Sequence, residues 1–586
     1  MKKLLLPVLL LLAATLLVLH FLFVDYNHAN ETVYFGGPIL TMSDAQPRVE
    51  ALYVKNGKIL AAGTKAEVMQ AKSRRATLTD LQGKTLLPGF FDAHGHLDLA
   101  TALYGMTDIS GFTHRTPEGV WNAVAQKVKA TPKGEWIFCL GYDPILTKGL
   151  EPPSTAFLDS LAPDHPVALI AQTMHSYYAN SKAFQAAGIT AQTPDPSSSS
   201  YYGRDSSGQL TGLIVEQAAF EPFRAIMQEN LMDSFVENTH KVLAKNAQKG
   251  ITSTVTMGLM TVNKNILMLY QDLSGEKVKP LHNLIRITGA FPERKPNLRH
   301  FVFLMERFSG YLPKPKNRGD DFFRFMGVKL WYDGSPYIGS MYMSRPYLAS
   351  RYNLEAIHLP PGHRGEALIQ PEQLEAAIRK YQSDGWQVAI HCQGDRAIAE
   401  ALGAFGRVHQ EAPLNARRHR LEHLLMLPYD QIATMQEMGI SPSFHINHIL
   451  YYGDFLQSDI LGPERTQQLL PVNQFAAKQI PFSLHADQPM YEADPLSLAS
   501  TAVNRQSESG LAINPAEAVS VWEALKSITI YAAWQLKMEA KLGTLEKGKY
   551  ADLVVLDKNP LETPAEAIAR IQVLETIVAG NTVWKK

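Results

Sequence analysis

The two ends of the chain share one short-strand texture, and this restricts the fold more than any other feature. Thr32-Val33-Tyr34-Phe35, Ala51-Leu52-Tyr53-Val54-Lys55 and Lys58-Ile59-Leu60-Ala61-Ala62 read as strands. The last two flank Asn56-Gly57, a dipeptide suited to a tight β-hairpin turn. At the other end Ala551-Asp552-Leu553-Val554-Val555-Leu556-Asp557 reads as a strand, and Gly580-Asn581 separates Thr576-Ile577-Val578 from Thr582-Val583-Trp584. Residues 31–87 and 542–586 are therefore expected to form one small β-domain. A chain whose ends co-fold must enclose its middle as an insertion.

That middle, residues 88–541, alternates apolar strand-like runs with helical stretches. Val167-Ala168-Leu169-Ile170, Phe325-Met326-Gly327-Val328-Lys329-Leu330 and Gln387-Val388-Ala389-Ile390-His391 are strand candidates. Pro371-Glu372-Gln373-Leu374-Glu375-Ala376-Ala377-Ile378 has helical apolar spacing. Such alternation predicts an α/β fold of βα units around a parallel sheet. The length suits a (β/α)8 TIM barrel of about 250 residues with large insertions. One insertion is expected across residues 103–214, which contain the loop-like Thr193-Pro194-Asp195-Pro196.

Zero formal net charge and the absence of a long basic run argue against a nucleic-acid partner. Two cysteines, Cys139 and Cys392, exclude a disulfide framework. Cys392 follows His391 on a strand and should face away from it as a buried free thiol. Lys2 and Lys3 precede an apolar run from Leu4 to Val24 with no small-x-small cleavage site after it. About 20 apolar residues span a bilayer. Residues 1–25 are therefore expected to form an uncleaved signal anchor, a transmembrane helix with the lysines cytoplasmic and the body of the chain extracytoplasmic. Secretion after signal cleavage is the alternative.

His94-Gly95-His96 ends the run Leu87-Pro88-Gly89-Phe90-Phe91-Asp92-Ala93. On a strand, residues i and i+2 share a face, so both imidazoles can grip one metal ion. Barrel active sites lie at the C-terminal ends of strands. The titratable residues ending the other apolar runs are Lys329, His391, His423 and Asp487. Each has a plain structural alternative: a hydrogen-bonded histidine, an exposed lysine, a capping aspartate. A lysine in an apolar strand is nevertheless unusual, because an unpaired ammonium is costly to bury. The order His-x-His, Lys, His, His, Asp on separate strands is hard to obtain by accident.

These motifs resemble the amidohydrolase superfamily, and more closely its YtcJ-like, or amidohydrolase-3, branch. The resemblance rests on Leu87 to His96, Gly327 to Ser335, His391 to Ala397, Arg420 to His423 and Gly543 to Asp557. It implies a metal-bearing barrel with a composite β-sandwich from both chain ends. It gives metal-site roles to His94, His96, His391, His423 and Asp487, and matches Lys329 to a lysine that can be carboxylated to bridge two metals. One or two divalent ions, with zinc the expected metal, are consistent with that set.

The implied chemistry is hydrolysis. Metal coordination lowers the pKa of bound water from 15.7 to about 7, and Asp487 would accept the water proton and pass it to a leaving nitrogen. His175 resembles a loop histidine that polarises the substrate carbonyl. His448, Tyr451 and Trp331 are expected against the substrate, with Tyr452 and Tyr142 as further candidates for an aromatic wall. His485 stands where many relatives carry a small residue, on the same strand face as Asp487. The expected activity is cleavage of amide or other non-peptide C–N bonds in a small molecule, with a homodimer among the assemblies open to it. An ester or lactone hydrolase and a non-catalytic metal-binding barrel are the alternatives. No Gly-x-Ser-x-Gly elbow and no His-Glu-x-x-His is present, which disfavours a serine hydrolase and a zincin.

Overall fold

The computed structural model describes Thr15 and residues 31–198, 200–231, 235–260, 264–274 and 297–586. The expected anchor, residues 1–25, lies outside the described residues apart from Thr15. Among the described residues no helix is long and apolar enough to cross a membrane. The chain divides into two compact units. One contains residues up to Ala93, Leu243–Met326 and Leu525–Lys586; the other contains His94–Val242 and Gly327–Ala524.

In the first unit the two chain ends share one eight-stranded sheet. Thr85–Pro88 from the N-terminal part pairs antiparallel with Leu553–Leu556 from the C-terminal part. Strand Thr32–Leu40 pairs with Arg48–Lys55 on one side; on the other, its first half pairs with Thr77–Asp80 and its Ile39 with Leu86. The switch falls at Gly36, whose φ of 79° only glycine adopts freely. Tyr34, Leu52, Ile59, Leu553 and Ile577 belong to one buried core. The Asn56-Gly57 hairpin forms as expected, with φ of 51° and 74°. The last hairpin turn is shifted by one residue from the expected Gly580-Asn581. Ala579 and Gly580 take the two positive-φ seats, at 45° and 76°, and Asn581 opens the returning strand.

The signature run before Asp557 has a structural reason in this unit. Both Asp552 oxygens bind the Arg299 guanidinium, at 2.6 and 2.9 Å, and Oδ1 also accepts the Ala579 N–H at 2.8 Å. The guanidinium lies against the rings of Phe322 (3.9 Å) and Tyr550 (4.3 Å). A buried charge pair is tolerated when geometry and extra hydrogen bonds offset desolvation, as here. Gly89 serves close packing: a Cβ there would meet Thr252 at 2.2 Å.

The barrel strands are β1 (Phe90–Gly95), β2 (Ile251–Leu259), β3 (Arg299–Met305), β4 (Phe323–Trp331), β5 (Gln387–Cys392), β6 (Arg420–His423), β7 (Ser441–Phe444) and β8 (Ser483–Leu484). They follow one another in the sheet in chain order. β2 with β3, and β4 through β8, pair in parallel. A parallel bridge from Gly95 to Gln488, just past β8, brings the two edges together, so the barrel is nearly closed. Helix Pro371–Ser383, expected from its spacing, precedes β5, starts with proline in its first turn and buries Leu374, Ile378 and Tyr381.

Between β1 and β2 the insertion builds a sheet of its own, six strands from Thr107–Asp108 to Leu210–Val215. Alternation splits it between two cores: Phe138, Ala168, Ile170 and Tyr177 on one face, Cys139, Val167, Leu169 and Tyr178 on the other. The run Val167 to Ile170 thus belongs to this sheet. Cys139 and Cys392 are both buried and unbridged.

Candidate metal centre

Every residue of the centre lies in the second unit. Alternation along β1 turns His94 and His96 to one face, and both reach Asp487. His94 Nε2 is 3.4 Å from Asp487 Oδ1, and His96 Nε2 is 3.2 Å from the same oxygen. Asp487 stands just past β8 with φ 59°, and His423 ends β6 with φ 72°. A regular strand would turn Glu422 and His423 to opposite sides. The left-handed residue at His423 lets both approach His94: Glu422 Oε2 is 2.7 Å from His94 Nδ1, and the His423 ring centroid is 4.8 Å from that of His94. Non-glycine residues held at positive φ are strained and cluster at functional sites.

His485 stacks on His94 at 4.4 Å and brings its Nε2 to 3.3 Å from His423 Nδ1. Its Nδ1 is fixed by Ser443 Oγ at 2.9 Å. His445, just past β7, has its ring 5.1 Å from that of His485. Among the described residues three sets bring one donor from each member within 4.8 Å of the others: His94, His423 and His485; His94, His96 and Asp487; His423, His445 and Asp487.

Burial withdraws protons from these imidazoles. It lowers His94, brings His445 down to about 4, and holds His423 and His485 well below their usual value, leaving the neutral form that binds metals. Burial raises Asp487, but the imidazoles of His94, His96 and His423 outweigh it and hold the carboxyl well below the usual range. Glu422 is likewise raised by burial, yet Arg420 and His94 bring it down to about 2. Lys329 is buried with no hydrogen-bond partner for Nζ among the described residues. Burial pulls its ammonium down to about 8 against the pull of Glu422 and Asp487.

His391 lies at the flank. Its ring is 4.2 Å from His423, while its Nε2 is 3.4 Å from the Gly334 carbonyl. Burial, reinforced by Lys329 and His175, keeps it neutral. Asp333 holds the turn after β5 through hydrogen bonds from the backbone N–H groups of Gln393 and Gly394, both 2.9 Å. His175 is gripped by Glu216, with its Nδ1 at 2.9 and 3.1 Å from the two carboxylate oxygens. Burial opposes a charge on His175, but Glu216 prevails and raises its pKa. The His175 ring is 6.4 Å from His391.

Of the expected substrate residues, Trp331 stacks 6.5 Å from His96 and lies 5.1 Å under Lys329 Nζ. His448 packs its ring 4.2 Å from His445 and shares a 2.6 Å hydrogen bond with the Tyr337 hydroxyl. Tyr451 is half-buried, stacked on Tyr491 at 5.1 Å. Tyr452 donates to Asp143.

Glu422, His445 and Glu216 were absent from the sequence expectations. Glu422 had a signal: Arg420 and Glu422 are two charges on one face of a buried strand, which need each other and a third partner. His445 follows an unremarkable Ser-Pro-Ser-Phe run, and Glu216 is 41 residues from His175; neither is marked by local pattern.

The donor set suits a divalent ion. It offers neutral imidazoles and one ionised carboxylate, the mixture that zinc-type ions take. His94 Nε2 and Asp487 Oδ1 are buried and lack hydrogen-bond partners among the described residues, although they face each other. A cation between them would satisfy both.

The fold and this donor set define a barrel hydrolase with a site able to hold a metal ion. The chain belongs to the amidohydrolase family, whose sequence model matches residues 77–584. It is 26% identical over 566 residues to the putative amidohydrolase YtcJ of Bacillus subtilis, covering 95% of this chain and 100% of that one. It is 27% identical over 537 residues to the N-substituted formamide deformylase of Arthrobacter pascens, covering 91% and 94%. Among solved structures, an uncharacterized metal-dependent hydrolase from Pyrococcus horikoshii superposes with a TM-score of 0.67 at 23% identity, over 92% of this chain and 99% of that one. That likeness bears on the fold.

Proposed function

We propose that this hydrolase cleaves amide or other non-peptide C–N bonds in a small molecule. The observation that carries the reading is the convergence of His94 Nε2, His96 Nε2 and Asp487 Oδ1, imidazole nitrogens around an ionised carboxylate. His94, His96, His423 and Asp487 would hold the ion, with His445, His485 and His391 around them. A bound zinc ion supplies Lewis acidity and acidifies water. Asp487 takes the proton of the attacking water and returns it to the leaving nitrogen. His175, whose pKa Glu216 raises, donates to the carbonyl oxygen as negative charge develops on it. Lys329 in its neutral form can add carbon dioxide at Nζ with loss of a proton, which turns a buried cation into an anionic oxygen donor. A similar chain is named as a deformylase of N-substituted formamides, so these are the first substrates to assay.

Purified protein is expected to carry at least one divalent ion per chain and to hydrolyse N-substituted amides. The double variant His94→Ala, His96→Ala should lose both the ion and turnover. Unchanged metal content in that variant would sink the proposed centre. Turnover of esters alone would transfer the assignment to a different bond.

The same proposal places the catalytic body outside the cytoplasm, supported by Lys2, Lys3 and the apolar run from Leu4 to Val24. A phosphatase reporter that requires export, fused after Tyr26, should be active. Activity only of a cytoplasmic reporter at that position would contradict the topology.

A further inference from the structure

A cavity of about 450 Å³ lies against one face of the inserted sheet. Strand alternation points Ser176 and Tyr178 of one strand, and Leu213 and Val215 of its neighbour, the same way, and all four line it. The segment after β4 closes the other side with Tyr337, Tyr352 and Ala356. The cavity meets the candidate centre at two points. Thr173 and Ser176, which bracket His175, are in its wall. So is Tyr337, whose hydroxyl is bonded to His448.

Several polar groups of this wall are bonded inside the protein. Tyr142 donates to the Glu151 carbonyl at 2.7 Å, and Tyr352 to the Tyr337 carbonyl at 3.0 Å. Arg204 binds Asp195 at 2.9 Å and the carbonyls of Ala191 and Thr193. Asp143 accepts the N–H groups of Ile145 and Leu146, at 2.7 and 3.1 Å, and the Tyr452 hydroxyl. Tyr142, Tyr337 and Tyr352 therefore offer the cavity ring surface rather than free donors, and Asp143 and Arg204 already have their partners inside the protein. Rings and aliphatic side chains with satisfied polar ends form a site for apolar groups.

We infer that this cavity seats one side of the scissile bond and selects substrates bearing a large, uncharged, ring-containing group there. The inference rests on the hydrolase reading for its connection to catalysis, and on the cavity alone for its ligand. The insertion between β1 and β2 then has a purpose: the barrel strand ends hold the reacting atoms, and the inserted sheet reads the substituent.

Two substrate series with the zinc-loaded protein test this. One keeps a formyl group and varies the amine from methyl through benzyl to 2-naphthylmethyl; the other keeps methylamine and varies the acyl group over the same range. A buried methylene-sized increment is worth about fourfold in kcat/KM. One of the two series should therefore rise at least about 50-fold from methyl to benzyl. A chain of equal length ending in ammonium should be at least about tenfold poorer than benzyl, because Asp143, the carboxylate of the wall, already accepts three hydrogen bonds inside the protein. Ala356→Trp, on the exposed rim, should reduce the benzyl-to-methyl ratio at least about tenfold by filling the space. Equilibrium binding of 2-naphthylmethanol, read by its fluorescence, needs no turnover and should weaken in the same variant. Amide hydrolysis that is flat in size, or that favours the ammonium chain, overturns the inference. Probe binding that Ala356→Trp abolishes, with no amide cleaved, upholds the cavity and defeats the hydrolase reading instead.

Discussion

Asp487→Asn is expected to lower kcat by about 10²–10⁴-fold while metal content falls much less. The side chain keeps its shape, and one oxygen still faces Nε2 of His94 and His96. What it loses is basicity. In the native site burial pushes the Asp487 carboxyl up, but His94, His96 and His423 hold it well below the usual range, so it is ionised at neutral pH and has an open acceptor oxygen. An amide accepts none and returns none to the leaving nitrogen. Metal analysis beside steady-state kinetics separates the two roles. A loss of kcat that only tracks the loss of metal would make Asp487 a ligand and nothing more.

Glu422→Gln is expected to damage stability and the metal site together. Glu422 bonds Arg420 through both oxygens, at 2.6 and 3.0 Å, and His94 Nδ1 at 2.7 Å, and all three side chains are fully buried. Removing the charge leaves the Arg420 guanidinium without its bidentate carboxylate, a change that costs about 3–5 kcal/mol for a buried pair. The carboxylate also accepts the Nδ1 proton of His94, which fixes the tautomer that turns the Nε2 lone pair to the site. Losing such an outer partner weakens metal affinity about 10–100-fold. The effect has a pH signature. Glu422 ionises at about 2 in the fold, against 4.5 for the free side chain. Its contribution is complete above 4.5 and is lost as pH falls from 4.5 towards 2. The gap in urea midpoint between wild type and variant should therefore be wide at pH 7 and narrow in acid. A gap that is absent at pH 7, with metal affinity unchanged, would show that Glu422 holds nothing in place.

The hairpin at Asn56-Gly57 and the co-folding of the two chain ends were legible because turn chemistry and strand alternation are local. The turn at Ala579-Gly580 was misplaced by one residue because the strand register, not the dipeptide, selects which residues take positive φ. His94, His96 and Asp487 were legible because they end apolar runs, where barrel strands deliver side chains to a common rim. His391 ends such a run too, yet its Nε2 turns to the Gly334 carbonyl.

The sequence by itself determined the βα alternation, the co-folding of the chain ends and a histidine-rich strand-end set, since hydrophobic periodicity and strand ends are one-dimensional signals. Only the tertiary structure decided how that set is wired. Glu422 and His423 face the same centre because one strand end takes a left-handed φ. The His175 pKa is raised because Glu216, 41 residues away, lies 2.9 Å from it. The cavity beside Thr173 and Ser176 presents tyrosine rings because the hydroxyls of Tyr142, Tyr337 and Tyr352 find partners elsewhere. The last two depend on distances of a few ångströms between segments far apart in the chain, and Coulomb and hydrogen-bond energies are set by those distances rather than by spacing in sequence.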